Sequence, residues 1–503
     1  MQARIYIGSF PRSRMRNWKI QEAISDTAKT EYPDIAPVVL QLLKNRGIFS
    51  KTDIQAFLNP RYEDLHDPFK FRDMQKACDR VKTAKDEDQT VFVYGDYDAD
   101  GVTSSTLLVE TLRKCGIKGV DVYIPHREKE GYGLNNDAID YIAGRGAKLL
   151  ITVDCGTSNV AEVAYAREKG LDIIICDHHE EPDELPQDVV AFLNPHLSGE
   201  TYPFKGLAAC GVVFKFVQAL WKSFDLPEGH EKWFLDLVAI ATVADMMDLK
   251  DENRVFVAFG LKVLNKTKRL GFRSLISVME ARSETLGVYD IGFLIGPRLN
   301  AAGRIDHANA AYELLEEADS QKALEFARSL NKTNIERQAE TKRISAEAFE
   351  QIKPQLAKQK VLVAKGTTWP AGVVGLVSGR ITEQFWRPSL VITESEKGIV
   401  GSGRSIPGFN ITEALSRVSE YLERFGGHEG ACGFTVKSVD VLQDFVRTLN
   451  EVADKQLSDK DLVKQLMIDA ELTLDQIDWD LVRALERLAP HGMGNPQPTL
   501  PHQ

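Results

Sequence analysis

The chain has 503 residues, with Lys+Arg 62 against Asp+Glu 73, a formal net charge of −11. That length exceeds one hydrophobic core and implies about three or four domains at roughly 100–200 residues each; 43% hydrophobic and 27% charged residues place them among ordinary globular domains. The acidic balance excludes a surface coated in Lys and Arg, the simplest nucleic-acid binder, yet leaves room for a local basic groove.

No run approaches the roughly 20 apolar residues of a spanning helix, and the N-terminal stretch carries no apolar run behind its positive charges, so a cytoplasmic location is expected. Six cysteines form no CxxC pair. Several lie in or beside apolar runs, so reduced, structural thiols are expected.

In chain order, residues 1–85 read as an N-terminal extension, with a helical stretch near Ile35–Asn45 and a Pro/Asp-rich loop at Asn59–Phe69. From Gln89 short apolar runs alternate with amphipathic ones: TVFVY, TSSTLLVETLRKCG, GVDVYI, LLITVD, NVAEVAYAREKG, LDIIICD. This pattern predicts an α/β fold with a parallel sheet over residues 86–317. Residues 318–353 are rich in Ala, Glu, Arg and Lys and predict a long connecting helix. A second, smaller α/β pattern with glycine-rich turns covers 354–454, and a segment rich in charge leads into 455–503.

The first chemical signal is Asp96-Tyr97-Asp98-Ala99-Asp100-Gly101, directly after the first apolar run. A calcium-loop reading fails because the twelfth position is Leu107, not Glu, and because the motif follows a strand rather than a helix. A solvated acidic turn is the plain alternative. Asp154 closes the run Leu149–Val153, and Asp177-His178-His179 closes Ile173–Cys176. Parallel strands deliver such groups to one carboxyl edge, where these folds bind ligands. Crowded carboxylates repel one another unless a cation fills the space, and Asp with His but no Cys selects Mn²⁺ or Mg²⁺. Adjacent residues on an extended backbone face opposite ways, so His178 and His179 are expected to play different roles. Asp245, ending the apolar helix Trp233–Met247, is a further candidate that spacing alone does not separate from Asp248. Two ions sharing carboxylates suit in-line attack of water on phosphorus.

DYDADG, the Asp154 strand end, the DHH triplet and VADMMD resemble, in order, the four motifs of the DHH phosphoesterase superfamily. Further motifs, PHREKEGYGLN, AACGVVFKF, GPRLNAAGRI, GSGRS and GGHEGACGF, are similar to its bacterial family of single-stranded-DNA-specific exonucleases, over about residues 85–500. The resemblance implies a catalytic domain joined by a long helix to a DHH-associated domain, with a cleft for one strand and stepwise nucleotide release from the 5′ end using two Mn²⁺ or Mg²⁺ ions, in recombination and repair. It implies Asp96, Asp98, Asp100, Asp154, His178 and Asp245 as metal ligands, with His179 on the scissile phosphate or the leaving group. Tyr94 stands where wider relatives carry a metal-binding His, so either Tyr94 or Asp96 completes that corner. Single-stranded DNA is the implied partner of a monomer with no membrane contact, alongside a helicase and a single-strand-binding protein.

Glycine-rich turns let backbone N–H groups approach phosphate, which makes Ser402 and Arg404 in GSGRS, and Gly426, Gly427 and His428 in FGGHEG, candidates for strand binding. Arg298 and Arg304 bracket Asn300 in a small-residue segment of the same kind. With the family pattern, Arg127, Arg304, Ser402 and Arg404 are expected at the 5′-terminal phosphate. The segment 465–498 resembles the start of an OB-fold, and Gln503 comes too soon for a five-stranded barrel. A truncated, poorly packed OB-like module is the expectation, with weaker capture of long strands. Two other functions compete: a phosphodiesterase for short oligonucleotides or cyclic dinucleotides, and a non-catalytic single-strand-binding scaffold, which the intact carboxylate set disfavours.

Overall fold

A computed structural model describes residues 17–127, 129–280, 284–305, 309–395 and 398–501; the side chains of Asn17, Arg304 and Ile305 lie outside the description. The chain divides into two compact units, one of residues 21–334 with 469–501, the other of residues 17–20 with 335–468. The chain passes between them inside a 33-residue helix, Ser320–Ile352, close to the predicted connector.

The first unit is built on a parallel five-stranded sheet, β1 (Thr90–Gly95), β2 (Val120–Tyr123), β3 (Ala147–Val153), β4 (Asp172–Cys176) and β5 (Ala191–Leu193), in the order β2-β1-β3-β4-β5. Helices α1 (Ala99–Lys114), α2 (Asn136–Gly144) and α3 (Val160–Glu168) follow successive strands, as the alternation predicts. The strand period of two sends Val91, Val93, Leu149, Ile151 and Ile174 into one core, and Phe92, Tyr94, Leu150, Ile173 and Ile175 into another. Both faces are therefore covered, which is why these strands read as unbroken apolar runs. The first core is completed by α1, by α4 (Ala209–Ser223), by α5 (Leu235–Ala244), shorter than the predicted helix because His230–Phe234 forms a 3₁₀ turn, and by α6 (Asp251–Leu264).

The N-terminal and C-terminal stretches behave differently from the sequence expectation of separate modules. Helices Pro37–Asn45 and Lys51–Leu58 share a cluster with Ala484, Leu485 and Leu488, and Leu488 is fully buried. The tail is thus packed, not loose. Its helix Trp479–Glu486 is amphipathic, and the apolar surface that covers it comes from the far end of the chain.

The second unit holds a mixed sheet, β6 (Leu362–Gly366), β7 (Ser389–Ser395), β8 (Gly398–Arg404), β9 (Leu422–His428) and β10 (Ala431–Val436), in the order β9-β10-β8-β7-β6, with only β6 and β7 parallel. Helix α7 (Ala371–Phe385) packs on it. Edge strand β6 is closed by side chains: Val363 N–H donates to Gln355 Oε1 (2.9 Å) and Gln355 Nε2 to Val363 carbonyl (2.7 Å), and Gln351 repeats both bonds at Lys365. Two glutamines one helical turn apart act as a surrogate strand for groups otherwise open to pairing.

Candidate metal centre

The order β2-β1-β3-β4-β5 reverses direction at β1, so the strand ends of β1, β3 and β4 open onto the switch point of the sheet. The acidic loop after β1 is shaped by Asp98, the N-cap of α1, whose Oδ1 accepts the N–H of Asp100 (2.9 Å) and of Gly101 (3.2 Å). Gly101 has no room for a side chain, since a Cβ would stand 2.4 Å from the Asp96 carbonyl. Asp100 points to the start of α4: Cys210 N–H donates to Oδ1 at 2.7 Å and Ala209 N–H to Oδ2 at 2.8 Å. Two amides at a helix N-terminus suit a carboxylate. Asp154 adopts φ +62°, a left-handed turn that Asp tolerates better than most residues.

Three overlapping donor groups result: Asp96, Asp98 and Asp154; Asp154, His178 and His179; Asp100, His178 and Asp245, the donor atoms of each within 4.8 Å of one another. His178 Nε2 lies 3.3 Å from Asp154 Oδ1 and 3.6 Å from Asp245 Oδ2. Asp96 Oδ1 and Asp245 Oδ2 are buried without a hydrogen-bond donor. Burial, then the neighbouring carboxylates, raises Asp100 to about 7 and Asp245 to about 8 and pushes Asp96 and Asp154 well up. So many acids cannot all ionise together unaided. Burial also takes His178 down to about 4, leaving a neutral imidazole able to donate a lone pair. Orphaned oxygens, crowded carboxylates and a neutral imidazole fit hard or borderline divalent cations.

His179 differs. Its Nδ1 lies 2.7 Å from Asp177 Oδ1, and although burial opposes its charge, that bond and the Asp177 charge raise it to about 9. Asp177 is buried, and its Oδ2 accepts the Thr157 N–H (3.0 Å) and hydroxyl (2.6 Å). Asn194 Nδ2 then reaches the Thr157 hydroxyl oxygen and the His179 carbonyl. Tyr132 hydroxyl donates to the Asp154 carbonyl and lies 3.3 Å from His179 Nε2. Sequence reasoning counted Asp177 among the carboxylates but missed its supporting role, and missed Thr157, Asn194 and Tyr132; the DHH spacing alone marks Asp177.

Other candidates are placed as follows. Tyr94 is fully buried, stacked on Tyr123, with its hydroxyl donating to the Gly133 carbonyl at 2.7 Å, so it does not join the donor groups. Asp248 turns to Gly494, whereas Asp245 joins the cluster. Arg127 lies over the Tyr97 ring, 4.8 Å from its centroid, and its charge reaches Asp96. Asn300 Oδ1 accepts the Ala99 N–H at 2.7 Å, so it shapes the acidic loop. Arg298 is 8% exposed and donates to Asn331 Oδ1 and the Leu294 carbonyl, which ties it into the scaffold. The Arg304 side chain lies outside the described residues. In the second unit, Arg404 Nη1 donates to Ser402 Oγ (3.1 Å) and the Gly403 carbonyl (2.8 Å), beside Gly375 of α7. Gly426, Gly427 and His428 line exposed β9.

A parallel α/β sheet that gathers aspartates and histidines at its carboxyl edge defines the DHH class of protein. A model of the DHH family, N-terminal domain, matches residues 90–242, one of the DHHA1 domain residues 358–455, and one of the RecJ OB domain residues 468–502. The chain is 42% identical over 97% of its length to the single-stranded-DNA-specific exonuclease RecJ of Bacillus subtilis, spanning 61% of that protein, and 32% identical over 94% of its length to RecJ of Dickeya dadantii, spanning 84% of it. A crystal structure of RecJ in complex with Mn²⁺ from Thermus thermophilus superposes with a TM-score of 0.83 at 26% identity, over 96% of this chain and 69% of that one. The chain belongs to the RecJ family.

Proposed function

We propose that the protein is a single-stranded-DNA-specific 5′-to-3′ exonuclease that hydrolyses phosphodiester bonds with two Mn²⁺ or Mg²⁺ ions and serves recombination and repair in the cytoplasm. The observation that carries this reading is the set of three donor groups with two buried carboxylate oxygens left without a donor. Asp96, Asp98, Asp100, Asp154, His178 and Asp245 hold the cations, which when bound neutralise the acids and supply a lowered water pKa and charge stabilisation at phosphorus. Asp177 fixes the His179 ring and keeps it protonated at neutral pH, so Nε2 donates a proton to the departing 3′ oxygen. In the first unit Arg127 and Arg304 take backbone phosphate, with Arg298 and Asn300 as supports; in the second unit Ser402 and Arg404 take phosphate, and Gly426, Gly427 and His428 the strand backbone beside them. Such an enzyme needs a helicase to release its strand and meets the protein that coats it.

The test is a time course on 5′-phosphorylated, end-labelled single strands in Mn²⁺, Mg²⁺ and EDTA. Asp98→Ala should release mononucleotides at least about 10³-fold more slowly than the parent, since a lost metal ligand removes several kcal/mol of transition-state stabilisation. Parental rates in Asp98→Ala, or faster turnover of dinucleotides than of long strands, refute the reading. Parental rates in Arg404→Ala on the same strands remove Arg404 from the phosphate site.

A further inference from the structure

Asp245 is the C-cap of α5, and the next residue, Met246, is left-handed at φ +58°. The carboxylate therefore stands at the start of a turn, where helix packing no longer sets its direction. The residues after the turn are held by a C-terminal segment more than 240 positions further along the chain. Leu249 N–H donates to the Met493 carbonyl at 2.8 Å. Gly494, at φ +65°, lies against the Asp248 carboxylate, and a Cβ there would stand 2.7 Å from Asp248 Cγ. A Cβ on Gly492 would stand 2.7 Å from Leu249 Cδ1.

This turn is itself rigid. Gly492 and Asn495 exchange backbone hydrogen bonds at 2.9 and 3.2 Å. The Asn495 side chain is fully buried: Nδ2 donates to the Leu488 and Pro490 carbonyls at 2.7 and 2.8 Å, and Oδ1 accepts Arg46 Nε at 2.6 Å. Arg254, also buried, donates Nε to the Phe57 carbonyl (2.6 Å) and Nη2 to the Ala489 carbonyl (2.9 Å). A buried guanidinium is costly in solvation, and here its donors are spent on fixing this segment. Asn253 Nδ2 links the Asp248 carbonyl (3.1 Å) to the Gly206 carbonyl (2.5 Å). Gly206 lies just before the amides of Ala209 and Cys210 that bond Asp100.

We propose that the Gly492–Asn495 turn is a positioning element of the metal centre: through Asp248 and Leu249 it sets the direction of the Asp245 carboxylate, so cation affinity depends on the C-terminal segment. This rests on Asp245 being a ligand. Ligands held a fraction of an ångström out of place lose affinity, and second-layer contacts around metal sites are worth about 10–100-fold.

The test is calorimetric titration of Mn²⁺ into the metal-free full chain. Gly494→Ala places a methyl against the Asp248 carboxylate and should weaken Mn²⁺ binding about tenfold or more. Gly408→Ala, at φ +89° with open space around it, controls for left-handed strain and should bind as the parent does. Asp248→Ala in the Gly494→Ala background removes the clashing atoms and should restore affinity. In strand degradation, Gly494→Ala should regain parental kcat at high Mn²⁺ with KM for the strand unchanged, which a general loss of folding would not do. Should Gly494→Ala fail to fold, Asn253→Ala cuts the link to Gly206 without adding an atom and should weaken Mn²⁺ binding likewise. Parental Mn²⁺ affinity in Gly494→Ala, or a loss that Asp248→Ala does not restore, overturns the proposal. Parental affinity in Asp245→Ala overturns the ligand reading itself, whereas loss in Asp245→Ala with none in Gly494→Ala overturns the positioning role alone.

Discussion

His178 and His179 are chain neighbours with ring centroids 4.7 Å apart, yet their surroundings drive them to opposite ionisation states. His178 faces Asp154 and Asp245 from a largely enclosed position and falls to about 4; His179 rests on Asp177 and rises to about 9. An extended backbone alone predicts that the two differ. Under the proposed reading, which one serves as ligand and which as proton carrier depends on Asp177, and on Thr157 and Asn194 behind it. Asp177→Asn keeps the shape of that side chain but removes its charge, so it should lower kcat about 10–100-fold, the usual size of a lost orienting contact. KM for the strand should stay within about twofold, because Asp177 is buried and presents no surface for a strand to contact. A KM change with kcat intact would place Asp177 in strand binding instead.

At the scale of elements, the alternation from Gln89 to Asp177 predicts β1, β3, β4 and their helices because a sheet buried on both faces leaves a continuous apolar signal. The closure of β6 leaves no such signal. Gln351 lies in the predicted connecting helix and Gln355 just beyond Pro354, where no local pattern marks either, and only their pairing with Val363 and Lys365 shows that they complete a sheet edge. The double variant Gln351→Ala/Gln355→Ala opens two N–H and two C=O groups on that edge. It should lose about 1–3 kcal/mol of stability by denaturant titration and gain mass with concentration in sedimentation velocity. A variant with parental stability and unchanged mass would show that water serves the edge equally well.

At the scale of the whole molecule, the C-terminal segment belongs to the first unit, and acid should loosen it. His491 is taken down to about 4 by burial, then by the charges of Arg46 and Arg254. The unfolded chain, with an ordinary histidine near 6.5, binds that proton first, so this contribution to stability is full above about pH 6.5 and falls as pH drops towards 4. Unfolding midpoints measured between pH 7.5 and 4.5 should therefore decline more steeply in the parent than in His491→Gln; parallel declines would count against it. The sequence by itself determined the α/β class, the long connecting helix and the acidic and imidazole groups at the strand ends, because strand periodicity and residues at strand ends are local properties. Only the tertiary structure decided between Asp245 and Asp248, turned Tyr94 away into the core, packed the tail against the N-terminal helices and set Gly494 against the Asp248 carboxylate. Each of those outcomes depends on contacts between segments far apart in the chain, which no local pattern encodes.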